Sequence, residues 1–232
     1  MTAIGFINVK AVLFDLDDTL YCEMDFVWGG FRAAASYLMR RFGLDERIVL
    51  DRMFAIMGRD GRGKVLDVVL HEYGLYTQEL VKALLYLYRS HRPEIRLYDD
   101  VLPFVDYLKA SNIRTGLITD GMASVQKSKV TALGLEAILD VVICTDELGR
   151  ECWKPSLIPF RVALELLPNS VKPSEAAYIG DNPEKDFIAP NELGMMSIQI
   201  ARSIDLPLGT DVKTRAHYRF NSLQECKELW SP

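Results

Sequence analysis

The chain has 232 residues, 49% of them hydrophobic, and a formal net charge of −5 at pH 7, which suits one large domain or a core with an insert. Acidic and basic residues are mixed along the sequence and no apolar stretch reaches the length of a membrane span, which argues against nucleic acid and membranes as partners. Residues 1–10 lack the charged-then-apolar layout of a signal peptide, and four scattered cysteines without a CxxC pair predict reduced thiols in a cytoplasmic protein.

The first predicted element is a short buried strand that ends in two carboxylates. Residues 11–14 are apolar without helical periodicity, which is typical of a strand in a parallel sheet. Asp15 and Asp17 follow at a spacing of two, so in an extended chain both point to the same side, where ligands of open α/β sheets bind. Two like charges this close favour a shared cation or a retained proton. The pair predicts a metal-assisted site, although acidic residues after a strand also cap turns.

Residues 22–98 are predicted to form a helical insert. Apolar residues recur there at helical spacing in four segments, Asp45 and Thr77 are candidate N-caps, and Gly58 is among the glycines expected to separate the segments. The segment shows no strand pattern. An insert that leaves the sheet beside its first strand is in a position to close over a ligand.

From residue 99 onward, short apolar strands alternate with amphipathic helices, which indicates βαβ units and a parallel sheet. A last helix over residues 222–230 is expected to begin with a capping box of Ser222 and Glu225. Pro190 lies inside another predicted helix, where it should cost a hydrogen bond or introduce a kink. The predicted strands are 115–118, 139–144, 176–179 and 196–200, and the other helices include 156–167, 183–193 closed by Gly194, and a helix with Val125, Lys129, Val130 and Leu133 on one stripe.

Two polar clusters lie at or beyond the ends of predicted strands. Thr119, Asp120 and Gly121 offer a hydroxyl and backbone amides before a helix N-terminus, an arrangement that suits a phosphate oxygen or an ordinary N-cap. Lys154 stands before Pro155, which biases it away from helical geometry and lets its ammonium project into the site. An ordinary surface lysine is the alternative interpretation.

A further cluster follows the strand over residues 176–179. Gly180 permits a tight exit from that strand, and Asp181 and Asp186 supply hard oxygen ligands for a cation such as Mg²⁺. Asp186 is either a direct ligand or a group that holds Lys154 or a metal-bound water.

In order and context, these clusters resemble the four motifs of the haloacid dehalogenase-like superfamily. The matching residues are Asp15-Leu16-Asp17-Asp18-Thr19, then Thr119, then Lys154, then Gly180-Asp181 followed by Asp186. The resemblance covers nearly the whole chain, with the insert at the place of the small helical cap of the first subfamily. It implies an α/β fold in which residues 1–21 and 99–232 form a Rossmann-like parallel sheet core with helices on both faces, and residues 22–98 form an all-α cap domain.

The resemblance also implies a catalytic mechanism, that of a Mg²⁺-dependent phosphatase. Asp15 would attack the phosphorus and form an aspartyl-phosphate, while Asp17 would protonate the leaving oxygen and then activate water. The implied metal ligands are Asp15, the main-chain carbonyl of Asp17 and Asp181, with Asp186 as a direct or indirect ligand.

The same resemblance assigns the phosphate-binding groups. Thr119 and Lys154 would bind the transferring phosphoryl oxygens, together with the amides near Asp120. Relatives often have asparagine at the position of Asp120, a difference that matters little if its amide does the binding.

The alternative functions come from other members of the superfamily and from non-catalytic proteins. Members that cleave carbon–halogen bonds usually lack the second aspartate, so Asp17 argues against a true dehalogenase. A phosphomutase shares all four motifs and remains an alternative. A non-hydrolytic receiver or binding protein is another, although a receiver would need neither the insert nor Asp17.

The insert offers one indication of the substrate. Arg59 and Arg62 lie on the glycine-rich stretch Gly58–Lys64 between predicted helices, where they are candidates for gripping a second anionic or polyhydroxylated part of a ligand. A solvated surface turn is the alternative. The predicted partner is a small phosphorylated metabolite, a sugar phosphate or nucleotide, and the predicted assembly is a monomer or homodimer.

Overall fold

The computed structural model describes residues 9–202 and 209–230, so most of the stretch considered for a signal peptide lies outside the described residues. Its sheet is six-stranded and its neighbouring strands are all parallel. The strands are β1 (Ala11–Phe14), β2 (Arg114–Thr119), β3 (Val141–Cys144), β4 (Ala176–Gly180), β5 (Met196–Ile200) and β6 (Tyr218–Phe220), and their order in the sheet is β3-β2-β1-β4-β5-β6.

The α-helices of the described residues fall into two groups, those that precede β2 in the chain and those that follow it. The helices before β2 are α1 (Glu23–Phe42), α2 (Glu46–Asp60), α3 (Val65–Glu72), α4 (Gln78–Ser90) and α5 (Val101–Ala110). The others are α6 (Ala123–Ala132), α7 (Ile158–Leu166), α8 (Pro183–Asp186), α9 (Ile188–Leu193) and α10 (Leu223–Cys226).

Strand β1 lies in the middle of the sheet, and this position determines where the functional residues meet. Leu13 is in register with Gly116 of β2 on one side and with Tyr178 of β4 on the other. The chain therefore continues from β1 to one neighbour and returns later to the opposite neighbour. Such a reversal opens a crevice at the carboxyl ends of the strands, which is where α/β folds bind ligands.

Helices cover both faces of β1. Because neighbouring residues of a strand point to opposite faces, the side chains of Leu13 and Phe14 lie on different sides of the sheet. Leu13 belongs to a buried cluster with Phe160 of α7, whereas the ring of Phe14 makes an edge contact with Phe104 of α5, with 6.1 Å between ring centroids. The predicted α/β fold, a parallel sheet surrounded by helices, is confirmed.

One predicted helix is wrong in its continuity. Residues 183–193 form two short helices, α8 and α9, separated at Phe187. The break places Pro190 in the first turn of α9, where its missing N–H would have no helical acceptor. The expected cost of this proline is thereby avoided, and Gly194 closes α9 in the left-handed conformation, as predicted.

The C-terminal part differs from the prediction in two respects. Strand β6 was not predicted, because it has three half-buried residues with an arginine between two aromatics rather than an apolar run. The predicted last helix is a short α10 followed by a 3₁₀ turn, Lys227–Leu229. The hydroxyl of Ser222 accepts from the amide of Glu225 as expected, but the Glu225 carboxylate accepts from the amide of Asn221 instead of closing the box on Ser222.

Helices α1 to α4 form a separate compact unit, residues Glu23–Glu94. Both predicted N-caps are confirmed, since Asp45 accepts from the amide of Ile48 at 3.0 Å and Thr77 accepts from that of Leu80 at 3.1 Å. The separator role of Gly58 is wrong, because α2 continues to Asp60. The buried side chains of this unit are Val27, Phe31, Ala34, Ala35, Leu38, Val49, Met53, Ile56, Val65, Leu66, Val69, Leu70 and Leu84.

The other compact unit contains the sheet and is built from residues up to Cys22 and from Ile95 onward. Backbone contacts join its two chain segments close to residues 22 and 95. The amide of Tyr98 donates to the carbonyl of Leu20 at 2.9 Å, and Tyr21 and Leu97 form an isolated β-bridge. Among the helices of the described residues, none combines the length and the apolar character that a membrane crossing requires.

Candidate active site

The candidate nucleophile, Asp15, lies directly after β1. Its amide donates to the carbonyl of Ile179 at 2.8 Å, which extends the pairing of β1 with β4 by one residue. Only 7% of the Asp15 surface is exposed. A buried carboxylate needs a partner, and the structure supplies one in the predicted residue Lys154.

Lys154 is buried between two carboxylates. Its Nζ lies 2.5 Å from Oδ1 of Asp15 and 2.8 Å from Oδ1 of Asp186, and it donates to the Tyr178 hydroxyl at 3.1 Å. Burial opposes the charged form, but Asp15 and Asp186 outweigh it and raise the pKa of Lys154 well above its ordinary value. The site therefore holds a fixed cation beside the candidate nucleophile.

Asp186 has donors on both of its oxygens. Oδ1 accepts from Lys154 and from the Tyr178 hydroxyl, the latter at 3.2 Å, and Oδ2 accepts from the amide of Asn182 at 2.9 Å. Gly180 makes this approach possible, because a Cβ at that position would lie 2.5 Å from Oδ2 of Asp186. The glycine at the end of β4 thus serves the site as well as the exit from the strand.

Three carboxylates form a cluster that can hold a metal ion. One oxygen each of Asp15, Asp181 and Asp186 lie within 4.8 Å of one another. Burial raises the pKa of Asp15 to about 7, against the pull of Lys154, and burial followed by repulsion from Asp15 and Asp186 raises the pKa of Asp181 to about 9. Carboxylates that resist ionisation in this way gain from a divalent cation, which supplies the missing positive charge.

Asp17 lies apart from that cluster, in a network of its own. Oδ1 accepts from the ammonium of Lys129 at 2.7 Å and from the hydroxyl of Tyr21, and Oδ2 accepts from the amide nitrogen of Gln126 at 3.1 Å. The same nitrogen donates to the hydroxyl oxygen of Thr119 at 2.5 Å. Two predicted residues, Asp17 and Thr119, are thereby linked through a residue that was not predicted.

The side chain of Asp120 ties two loops together. Its Oδ1 accepts from the backbone amide of Lys154 at 3.1 Å and from the hydroxyl of Thr145 at 2.7 Å. The structure therefore uses the carboxylate of Asp120 to hold the loop that carries Lys154. The carboxylate of Asp120 therefore has a structural role at the site, whereas the sequence prediction concerned only the backbone amides near this residue.

The two predicted arginines lie in the other unit, and each has a carboxylate partner there. Arg59, near the end of α2, forms a two-point contact with Asp60, at 2.8 and 2.6 Å. Arg62, in the following 3₁₀ turn, forms one with Glu23, at 2.7 and 2.6 Å. Exposed pairs of this kind are worth little in stability, so both guanidinium groups can exchange partners.

Tyr178, Gln126 and Lys129 are among the polar residues of the site that were not predicted. Tyr178 stands inside an apolar strand, where an aromatic residue is typical of the core. Lys129 had a usable signal, since it interrupts the apolar stripe of its predicted helix. Gln126 lies three residues before Lys129, a spacing that places both on the same helical face.

Comparison with known proteins adds family information to this geometry. A family model described as haloacid dehalogenase-like hydrolase matches residues 12–200. The glyceraldehyde 3-phosphate phosphatase of Methanocaldococcus jannaschii is 29% identical over 226 residues, covering 95% of this chain and 96% of the relative. The ribulose-1,5-bisphosphate 5-phosphatase of Halopiger xanaduensis is 28% identical over 206 residues, covering 81% and 83%.

Solved structures share the fold. A HAD phosphatase from Thermococcus onnurineus superposes with a TM-score of 0.63 at 25% identity, covering 95% of this chain and 97% of the other. A 2-haloacid dehalogenase from Pseudomonas syringae gives a TM-score of 0.65 at 24% identity, with the same coverage. At this level of identity the second structure shows likeness of fold alone.

Proposed function

Because the chain belongs to the haloacid dehalogenase-like hydrolases, we propose that it is a Mg²⁺-dependent phosphatase that hydrolyses a small phosphate monoester through a phosphoaspartate on Asp15. Family membership and the phosphatases among its relatives make it a phosphoric monoester hydrolase. The observation that carries the proposed mechanism is the buried arrangement of Asp15 and Lys154 at the carboxyl end of β1, 2.5 Å apart.

The proposed reaction has two steps at phosphorus. In the first, an oxygen of Asp15 forms a bond to phosphorus, the bond to the leaving oxygen breaks, and Asp17 gives that oxygen a proton. In the second, water attacks the phosphorus of the phosphoaspartate, Asp17 takes the proton of that water, and Asp15 is released as a carboxylate. Lys154 and the hydroxyl of Thr119 bind the phosphoryl oxygens, where negative charge accumulates in both steps.

The donor set at the site fits a hard divalent cation. The clustered side-chain ligands are all carboxylates, and oxygen ligands are those that Mg²⁺ prefers. We propose Asp15, Asp181 and the main-chain carbonyl of Asp17 as direct ligands. Asp186 has a donor on each oxygen, which supports a role in holding Lys154. When bound, the cation offsets the charge between the carboxylate nucleophile and the phosphoryl group.

A phosphorylated sugar or a related small metabolite is the proposed substrate. The names of two relatives specify glyceraldehyde 3-phosphate and ribulose 1,5-bisphosphate as their substrates. In the helical unit, Arg62 lines a cavity of about 320 Å³ together with Arg89. We propose that Arg59 and Arg62 bind a polar part of the substrate away from the reacting phosphate. The free state of all four cysteines supports a cytoplasmic location.

Phosphate release from a panel of esters, with Mg²⁺ or with EDTA, tests the proposal. We expect turnover that requires the metal, ranks sugar phosphates above aryl phosphates, and disappears in Asp15→Asn. Asp106→Asn is the matched control, since Asp106 is an exposed aspartate on α5. Turnover that persists in Asp15→Asn would contradict the role of Asp15 as the nucleophile.

Phosphate release, together with the mass of the intact protein, separates the alternative functions. A phosphomutase would release little phosphate, because its phosphoaspartate would pass the phosphoryl group to a phosphorylated acceptor instead of to water. A receiver would show a phosphoaspartate that lasts for minutes, which mass spectrometry of the intact protein detects as an added phosphoryl group.

A further inference from the structure

Helix α6 presents two buried polar side chains to the site. Gln126 and Lys129 are 2% and 3% exposed, respectively, and lie three residues apart, on the same face of the helix. Lysine is almost never fully buried without a partner, because losing the hydration of an ammonium is costly. The partner of Lys129 is the carboxylate of Asp17, 2.7 Å from its Nζ.

The contacts of these two residues fix the orientation of Asp17. Lys129 donates to Oδ1 of Asp17 and Gln126 donates to Oδ2, so rotation of the carboxylate would break one contact or the other. The general acid of a phosphatase must meet the leaving oxygen at hydrogen-bond distance, and a displacement of about 1 Å can cost on the order of 100-fold in rate. The orientation of Asp17 is therefore relevant to the rate of the proposed first step.

The amide of Gln126 also acts on Thr119. When Asp17 is the carboxylate that takes a proton from water, the nitrogen of Gln126 must face it, because a carboxylate oxygen only accepts. The same nitrogen reaches the hydroxyl oxygen of Thr119 at 2.5 Å. Since this oxygen accepts from the amide, the hydroxyl hydrogen of Thr119 can be directed at a phosphoryl oxygen. One amide thus orients both the acid and a phosphate-binding group.

We propose that Gln126 and Lys129 are positioning residues of the reaction, which hold Asp17 for proton transfer to the leaving oxygen and set the hydroxyl of Thr119 for the phosphoryl group. This inference rests on the phosphatase function proposed above. It gives a role in the reaction to a buried lysine and a buried glutamine, neither of which belongs to the four motifs.

The leaving group distinguishes positioning of the acid from general support of the fold. An alkoxide leaves only with a proton, whereas 4-nitrophenolate leaves without one. In Lys129→Met we expect kcat/KM for glycerol phosphate to fall on the order of 100-fold and kcat/KM for 4-nitrophenyl phosphate to fall less than about 10-fold. In Gln126→Met we expect both values to fall, because Thr119 serves both esters, with the larger loss for glycerol phosphate.

Lys127→Met is the matched control on the same helix. Lys127 lies between the two positioning residues but is exposed and pairs with Glu147 at 2.5 Å. Its replacement should leave the kcat/KM values for both esters within about 2-fold of the wild type, as is usual for an exposed pair of this kind. If Lys129→Met does not fold, two other variants test the inference. Lys129→Arg retains the cation and is expected to keep the ratio of the two kcat/KM values close to that of the wild type. Gln126→Met is expected to lower kcat/KM for both esters, and more for glycerol phosphate.

A second readout does not depend on turnover. Thermal unfolding of metal-free Lys129→Met, Asp17→Asn and the double variant should show strongly non-additive losses, since the two side chains contact each other. Additive losses, or equal decreases for both esters in Lys129→Met with an active wild type, would overturn the inference. A wild type that hydrolyses no ester would instead refute the proposed function, and the inference would fall with it.

Discussion

Raising the pH is expected to destabilise the metal-free protein through its carboxylate cluster. The pKa of Asp15 is raised to about 7 and that of Asp181 to about 9, both from an ordinary value near 3.8. For each carboxyl group, at pH values between 3.8 and its raised pKa, the folded state binds more protons than the unfolded state. The stabilising contribution is therefore complete below about pH 4 and is lost as the pH rises through 7 for Asp15 and through 9 for Asp181.

The size of this effect follows from the two shifts. One pKa unit corresponds to about 1.4 kcal/mol. Between pH 5 and pH 8 the loss covers about two units for Asp15 and about three for Asp181, which amounts to on the order of 7 kcal/mol for the two groups together. For a chain of 232 residues this is a fall in Tm of roughly 15–30 °C. Mg²⁺ binds the ionised carboxylates, so the rise in Tm that it produces should be small at pH 5 and large at pH 8.

Differential scanning fluorimetry at pH 5 to 8, in EDTA and in Mg²⁺, measures both effects. Asp181→Asn is the informative variant, because a neutral amide resembles the protonated acid. Without metal it should match the wild type at pH 5, exceed it in Tm at pH 8, and gain less from Mg²⁺. A metal-free Tm that is the same at pH 5 and pH 8, or an equal fall in wild type and Asp181→Asn, would refute the reasoning.

Three further predictions concern single features of the site and of the helical unit. Gly180→Ala would place a methyl group 2.5 Å from Asp186, so we expect a loss of about 1–3 kcal/mol in urea unfolding and a lower kcat; unchanged values would show that the carboxylate moves at no cost. Asp120→Ala removes the acceptor for the amide of the buried lysine and should lower both kcat and Tm, whereas Asp120→Asn, which keeps an oxygen, should recover most of the loss. The double variant Arg59→Ala and Arg62→Ala should raise KM for a sugar phosphate severalfold while sparing an aryl phosphate, and equal changes for the two substrates would exclude a specificity role.

The sequence predicted the sheet well where strands are buried and poorly at its edge. Continuous apolar runs identify β1 and β4, because a strand covered on both faces has few polar positions. Strand β6 escapes this rule, since it contains three half-buried residues and owes its pairing to the neighbouring β5. The break at Phe187 was equally hidden, because apolar periodicity continues across two helices that share a buried side.

The chemistry of the site was predictable to the extent that it lies at strand ends. Asp15, Thr119 and Asp181 were expected at one edge of the sheet because parallel strands bring their carboxyl ends together. Contacts between side chains are a different matter, since they depend on helix packing. The amide that joins Asp17 to Thr119 comes from Gln126. The helical pattern places Gln126 on the same face as Lys129, but it does not specify which side chains of the sheet this amide contacts.

The arrangement around Lys154 shows how one buried site holds three carboxylates, and it bears on the proposed attack of Asp15 on a phosphate. A single ammonium cannot neutralise three acids, and Lys154 contacts two of them, Asp15 and Asp186. Asp186 uses its oxygens on Lys154, Tyr178 and a backbone amide, so its charge fixes the lysine in place. Without a cation, burial and mutual repulsion raise the pKa values of Asp15 and Asp181, so we infer that a bound cation is what lets both carboxylates ionise together. A cation held by Asp15 and Asp181 would supply positive charge in addition to that of Lys154, so Asp15 would meet an anionic substrate with less repulsion.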